Sequence, residues 1–144
     1  MADQVFNIAK GAAREKFSDS NGAGGILLLK ANETEADLID HDELNALLGA
    51  AGNTEADFTN YGRKTSLTAT ITPDDINDRI DLDFPDQTFS SAGGTLDNTL
   101  TKLVTFYEES AADTGRIPIT HHDFAVTTDG SDVTAQISNF YRAS

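Results

Sequence analysis

The stretch Ser66-Leu67-Thr68-Ala69-Thr70-Ile71-Thr72-Pro73-Asp74-Asp75-Ile76-Asn77-Asp78-Arg79-Ile80-Asp81-Leu82-Asp83-Phe84 decides the fold class. Its first half alternates, with Leu67, Ala69 and Ile71 on one side and Ser66, Thr68, Thr70 and Thr72 on the other. Pro73 has no N–H to give a ladder, so the first strand is expected to stop there. Pro73-Asp74-Asp75 and Asn77-Asp78 are turn chemistry. Alternation then resumes, with Ile80, Leu82 and Phe84 opposite Arg79, Asp81 and Asp83, and Pro85 closes the second strand. Two runs of period two joined by a turn predict an antiparallel pair with one dry and one wet face.

The surrounding chain is strongly acidic. It has 144 residues with 24 Asp and Glu against 10 Lys and Arg, a net charge of −14. Binding to nucleic acid through phosphates needs clustered basic side chains, so neither nucleic acid nor an anionic membrane surface is an expected partner. Surplus acidity favours solubility and suits a protein displayed in many copies, although an ordinary acidic protein has the same balance. The absence of cysteine excludes a disulfide framework and thiolate metal sites. No apolar run reaches the roughly 18 residues of a membrane helix. Met1-Ala2-Asp3-Gln4 lacks the basic and apolar regions of a signal peptide, so synthesis in a cytoplasm is expected.

From the N-terminus, Val5, Phe6, Ile8, Ala9, Ala12, Ala13 and Phe17 recur at helical spacing, with Asp3 as N-cap. Lys10, Arg14, Lys16 and Lys30 make this end less acidic than the rest. An amphipathic helix packed on its own domain and an arm docking on a neighbour both fit the pattern. The segment Ser18–Gly25 is a glycine-rich loop without the Gly-Lys-Ser/Thr ending of a phosphate loop. Ile26–Leu29 reads as a strand buried on both faces, and Ala31–Asp37 as an acidic loop. Asp40–Gly49 reads as a helix with Asp40 as cap, Glu43 at the capping-box position and Gly49 just past its end. Thr34-Glu35-Ala36-Asp37 recurs as Thr54-Glu55-Ala56-Asp57, but the flanks differ and no repeat architecture follows.

Later segments extend the β pattern. Asp86–Thr95 reads as a loop, and Leu100–Tyr107 as a strand. Glu108–Arg116 reads as a polar loop, and Ile117–Thr120 as an extended segment placed at an edge by Pro118. Phe124–Val126 and Val133–Ile137 around Asp129-Gly130 predict a second hairpin. Phe140 and Tyr141 give the C-terminus bulk to pack. The sequence therefore predicts a mainly β protein, an antiparallel β-sandwich or barrel with one short internal helix and an N-terminal helix or arm. Residues 1–25 form the arm and glycine-rich loop, and residues 26–144 a single β-rich domain.

Chemical motifs are weak. In His121-His122-Asp123 the two imidazoles of a strand point to opposite faces, a poor arrangement for one metal. One His is expected to be packed and hydrogen-bonded, the other exposed or at an interface. Asp129-Gly130-Ser131-Asp132 is a fragment of a calcium loop that a turn explains equally well. The carboxylates from Asp74 to Asp86 form a solvated acidic face or a weak cation site. The expectation is a protein without catalytic residues, cofactor or resident metal.

Four stretches resemble small virion structural proteins of tailed bacteriophages: Gly52–Thr65, Asp75–Asp83, Pro85–Phe89 and Thr120–Asp132. The resemblance implies a non-enzymatic particle component. A capsid decoration (cement) protein fits best, binding the outside of the major capsid protein lattice as a homo-oligomer, with a trimer expected. A head–tail connector or tail-tube component is the alternative. A soluble carbohydrate-binding module is a further one, with Phe58, Tyr61, Tyr107, Phe140 and Tyr141 as its candidate aromatics. Local charge and apolar character mark Phe6, Lys10, Arg14, Phe17, Arg63 and Lys64 as expected partner-binding residues.

Overall fold

The computed structural model describes residues 4–6, 17 and 23–143. Its centre is strand β2 (Ala23–Ala31), whose Ile-Leu-Leu-Leu run is fully buried, as a strand covered on both faces requires. Strand β8 (Lys102–Glu108) pairs antiparallel along β2, from Gly24↔Tyr107 to Leu29↔Lys102. Strand β9 (Arg116–Asp123) pairs with β8, and the two-residue β1 (Gln4–Val5) pairs with β9. The other edge of β2 is shared by β4 (Lys64–Thr68) and β3 (Thr54–Glu55).

Alternation along these strands sorts the core into two layers. Gly24 lies on the face of Leu103, Thr105 and Tyr107, and a Cβ on it would come within 2.7 Å of the Phe84 ring and 2.8 Å of Phe17. Phe17 packs edge-on against Tyr107, Phe84 and Phe140, and Phe84 stacks on Phe140 at 4.3 Å. The opposite face carries Lys102, Val104, Phe106 and His121. Two short helices, α1 (Glu35–Leu38) and α2 (Leu44–Gly49), accompany it, contributing buried Leu38, Leu44 and Leu47.

Strands β5 (Thr70–Asp74), β6 (Arg79–Asp83) and β11 (Tyr141–Ala143) form a second antiparallel sheet in the order β11-β6-β5. Strands β7 (Gln87–Phe89) and β10 (Val133–Ala135) form a third. The protein is thus mainly β and antiparallel, with only short helices among the described residues, consistent with a small sandwich-like domain.

The 66–84 hairpin exists, with Thr70↔Asp83 through Asp74↔Arg79 in register, but three details differ from its sequence reading. Pro73 lies inside β5, opposite Ile80; β5 is an edge strand, where a missing N–H is tolerated. The alternating run also divides at Ala69, so that Leu67 pairs into the main sheet and Ile71 into the second. On the expected wet face, Asp81 is buried and reaches Arg79 and Arg142.

Elsewhere, Ala31–Asp37 is not all loop. Thr34 caps α1, its hydroxyl accepting from the Asp37 N–H at 3.3 Å and donating to the Asp37 carboxylate at 2.6 Å. Helix α2 starts only after Glu43, whose side chain makes no capping bond, and Gly49 lies inside it. Its end is held by buried Asn53, which donates to the Leu47 carbonyl at 2.9 Å. Strand β10 pairs with β7, not with Phe124–Val126, so Asp86–Thr95 contains a strand and the expected second hairpin is absent. Pro118 lies in β9 at a register shift with β8 and beyond the two residues that β1 pairs, so β1 covers only part of the outer side of β9. The expected helix over residues 3–17 falls largely outside the described residues, but Gln4–Val5 is strand.

Candidate functional surfaces

The expected partner-binding residues are placed as follows. Phe6 is completely buried, its ring edge-on to His121 at 5.7 Å. Phe17 is buried between Phe84, Tyr107 and Phe140. Both aromatic side chains are engaged in the chain's own core. Lys10 and Arg14 lie outside the described residues. Lys64 holds its ammonium 4.7 Å from the centre of the Phe89 ring, a cation–π contact.

Arg63 sits in a network of charges. Its Nε and Nη2 each donate to the Glu55 carboxylate at 2.6 Å, and Nη1 pairs with Asp113. Asp113 also accepts from Arg116 at 3.1 Å, and Arg116 reaches Glu108. The other Glu108 oxygen accepts the Ser66 N–H at 2.7 Å, and Tyr61 donates to Glu55 at 2.8 Å. The bidentate carboxylate raises the guanidinium pKa of Arg63 and the cations lower that of Asp113, while burial raises the Tyr61 phenol. The network ties β3, β4, β8 and β9 together. Its charges are spent internally.

The same holds for most cations. Among the described residues, every Arg and Lys except Lys64 reaches a carboxylate: Lys30 with Asp57, Arg79 with Asp74, Lys102 with Glu35 and Asp123, and Arg142 with Asp81. Among the described residues, the surplus charge is therefore negative. Of the carboxylates from Asp74 to Asp86, those of Asp74, Asp81, Asp83 and Asp86 are engaged with protein groups. Asp74 accepts from Asn77, Asp83 from the Asn139 N–H, and Asp86 from the Ile137 N–H.

The histidines do lie on opposite faces. His121 is fully buried, and His122 is half-buried with Nε2 at 2.9 Å from the Thr120 hydroxyl. That hydroxyl also meets Thr105, and both threonines are buried, so the pair is not presented to a substrate. Beside it lies a cavity of about 290 Å3 walled by Leu103, Thr105, His122, Asp123, Ile137 and Phe140. At Asp129–Asp132, Asp129 accepts the Ser131 N–H at 2.9 Å and Gly130 takes φ +95°, the geometry of a turn. Of the carbohydrate-binding candidates, Phe58, Tyr107, Phe140 and Tyr141 are buried, and Tyr61 stacks on Phe89. They build the core, not an exposed platform.

The most conspicuous surface feature was missed as a site in the sequence. Ile76, in the turn between β5 and β6, is 93% exposed. Asp74 holds this turn: its carboxylate accepts the Asn77 N–H at 3.2 Å and the Asn77 amide at 2.8 Å. Asp78 takes the left-handed conformation at φ +50°. A hydrogen-bonded, acidic tip thus holds a bare aliphatic side chain in solvent. In the sequence, a lone aliphatic residue among turn formers was the signal.

Comparison of the chain with protein-family models, with curated proteins and with solved structures finds no match in any of the three.

Proposed function

We propose that this protein is a non-enzymatic structural component of a tailed-bacteriophage virion, a decoration protein that binds the outside of the major capsid protein lattice. The observation that carries the reading is the β5–β6 tip, where Asp75, Ile76 and Asp78 project together from a braced turn. It fits a partner surface with an apolar socket rimmed by basic groups. The four stretches with virion-protein wording support the same reading, and one of them is Asp75–Asp83. The acidic exterior is suited to the outside of a shell and unsuited to packaged DNA. By binding only the assembled lattice, such a protein stabilises it through mass action. A trimer would engage neighbouring subunits at once and gain from effective concentration.

The test is binding of purified protein to undecorated capsids, with the oligomeric mass measured by light scattering. The expected result is saturable binding by a small closed oligomer, weakened roughly tenfold or more in Ile76→Asp, the loss expected for a central anchor. A six-fold or twelve-fold ring would move the protein to the connector or tail tube. Absence of binding to the capsid shell would end the decoration reading.

A further inference from the structure

Among the described residues, β1 joins the main sheet through two residue pairs and one further backbone bond. Gln4 pairs with His121 and Val5 with Thr120, and the Phe6 N–H donates to the Ile119 carbonyl at 3.0 Å. Beneath this short strand lies a group of unpaired polar atoms. His121 is fully buried, and neither of its ring nitrogens has a hydrogen-bond partner. The Oε1 of Gln4 is also buried without a partner. Residues directly opposite in an antiparallel pair project on the same face, so these atoms gather at one place. Buried polar groups without partners are rare and costly, and a charged one costs far more.

We propose that β1 is an acid-released latch: protonation of His121 expels Gln4–Phe6 from the sheet and uncovers the outer edge of β9. The imidazole is enclosed by the Phe6 ring and by β1 and β8. The charged groups acting on it are Lys102 from β8, Glu35 from α1, and His122 and Asp123 on β9 itself. Burial is the largest influence; with Lys102 and His122 it disfavours the cation, while Glu35 and Asp123 favour it. The result is a pKa depressed from 6.5 to about 4. A depressed histidine pKa means that the closed latch prefers the neutral ring. The latch is at full strength above about pH 6.5 and weakens as the pH falls towards 4. Full titration over that range changes the closed-to-open ratio by roughly 300-fold. Opening leaves the β9 edge with unpaired N–H and C=O groups, a template for another strand. This inference does not depend on the decoration reading.

The experiment is amide hydrogen exchange on the full chain from pH 7.5 to 4.5, corrected for the intrinsic pH dependence of exchange, with His121 titrated by NMR. The expected result is loss of protection at Phe6 by a factor of tens, while the amides of β2 and β8 stay protected. His121→Leu should abolish the pH dependence, and His122→Leu should preserve it. Asp123→Asn removes a group that favours the cation in the closed state, so the loss of protection at Phe6 should grow at the acid end of the range, with the β1–β9 pairing residues unchanged. That variant also serves as the test if His121→Leu does not fold. Opening that persists in His121→Leu, protection at Phe6 that stays flat through the His121 titration, or simultaneous loss of protection in β2 and β8 would each overturn the proposal.

Discussion

Two copies of the same four residues adopt different structures in this protein. Thr34-Glu35-Ala36-Asp37 caps and forms helix α1, whereas Thr54-Glu55-Ala56-Asp57 supplies strand β3 and the irregular backbone after it. Thr34 is an N-cap with its hydroxyl on Asp37, while Thr54 is exposed in a strand paired with Ala31. Glu35 meets Lys102, and Glu55 clamps Arg63. Ala36 is exposed, but Ala56 is buried and its N–H donates to the Leu28 carbonyl at 2.9 Å. Four residues carry too little local preference to choose; the partners brought by the flanking chain decide.

The comparison can be broken most severely at the alanines. Ala56→Glu puts an unpaired carboxylate into the core and should cost about 3 kcal/mol or more. Ala36→Glu on the exposed turn of α1 should stay within about 0.5 kcal/mol. Urea midpoints of the two variants give the contrast directly. The glutamates come next. Glu55→Ala leaves Arg63 with Asp113 alone and removes the Tyr61 acceptor, so a loss of about 2–3 kcal/mol is expected. Glu35→Ala should cost about 1 kcal/mol, because Lys102 keeps Asp123 at 2.6 Å. Chemical denaturation at neutral pH tests whether the first loss exceeds the second. The threonines sharpen the comparison with the smallest effect. Thr34→Ala removes a cap worth about 1 kcal/mol, whereas Thr54→Ala should lie within about 0.5 kcal/mol in the same assay.

What the sequence made legible follows from how local each signal is. The β5–β6 hairpin and the buried β2 run depend on neighbouring residues, and period-two alternation reveals both. Pairing of Val133 with Phe89 does not, because the two residues come from distant segments, and an Asp-Gly turn makes the nearer partner look sufficient. The Ser66–Thr72 alternation is real, yet it cannot announce that Ala69 hands the chain from one sheet to another. Alternation correctly set His121 and His122 on opposite faces but not which one is buried. For the surface, spare basic and aromatic residues pointed to Phe6, Phe17 and Arg63. Three-dimensional packing uses all three internally, and the exposed Ile76 lay within a stretch read only as a turn.

The division of the chain at Ala69 also has a mechanical meaning. A pull on Ile76 passes down β5, through Ala69 and into β4, which is bonded to the central strand at Thr68, Leu67 and Lys64. Load that reaches β4 meets the bonds of three residue pairs to β2. Ser66 adds a further fastening, its N–H held by Glu108. The exposed Ile76 is thereby linked through the backbone to the strand whose Ile26–Leu29 run is fully buried, and a tug at the tip reaches the middle of the main sheet.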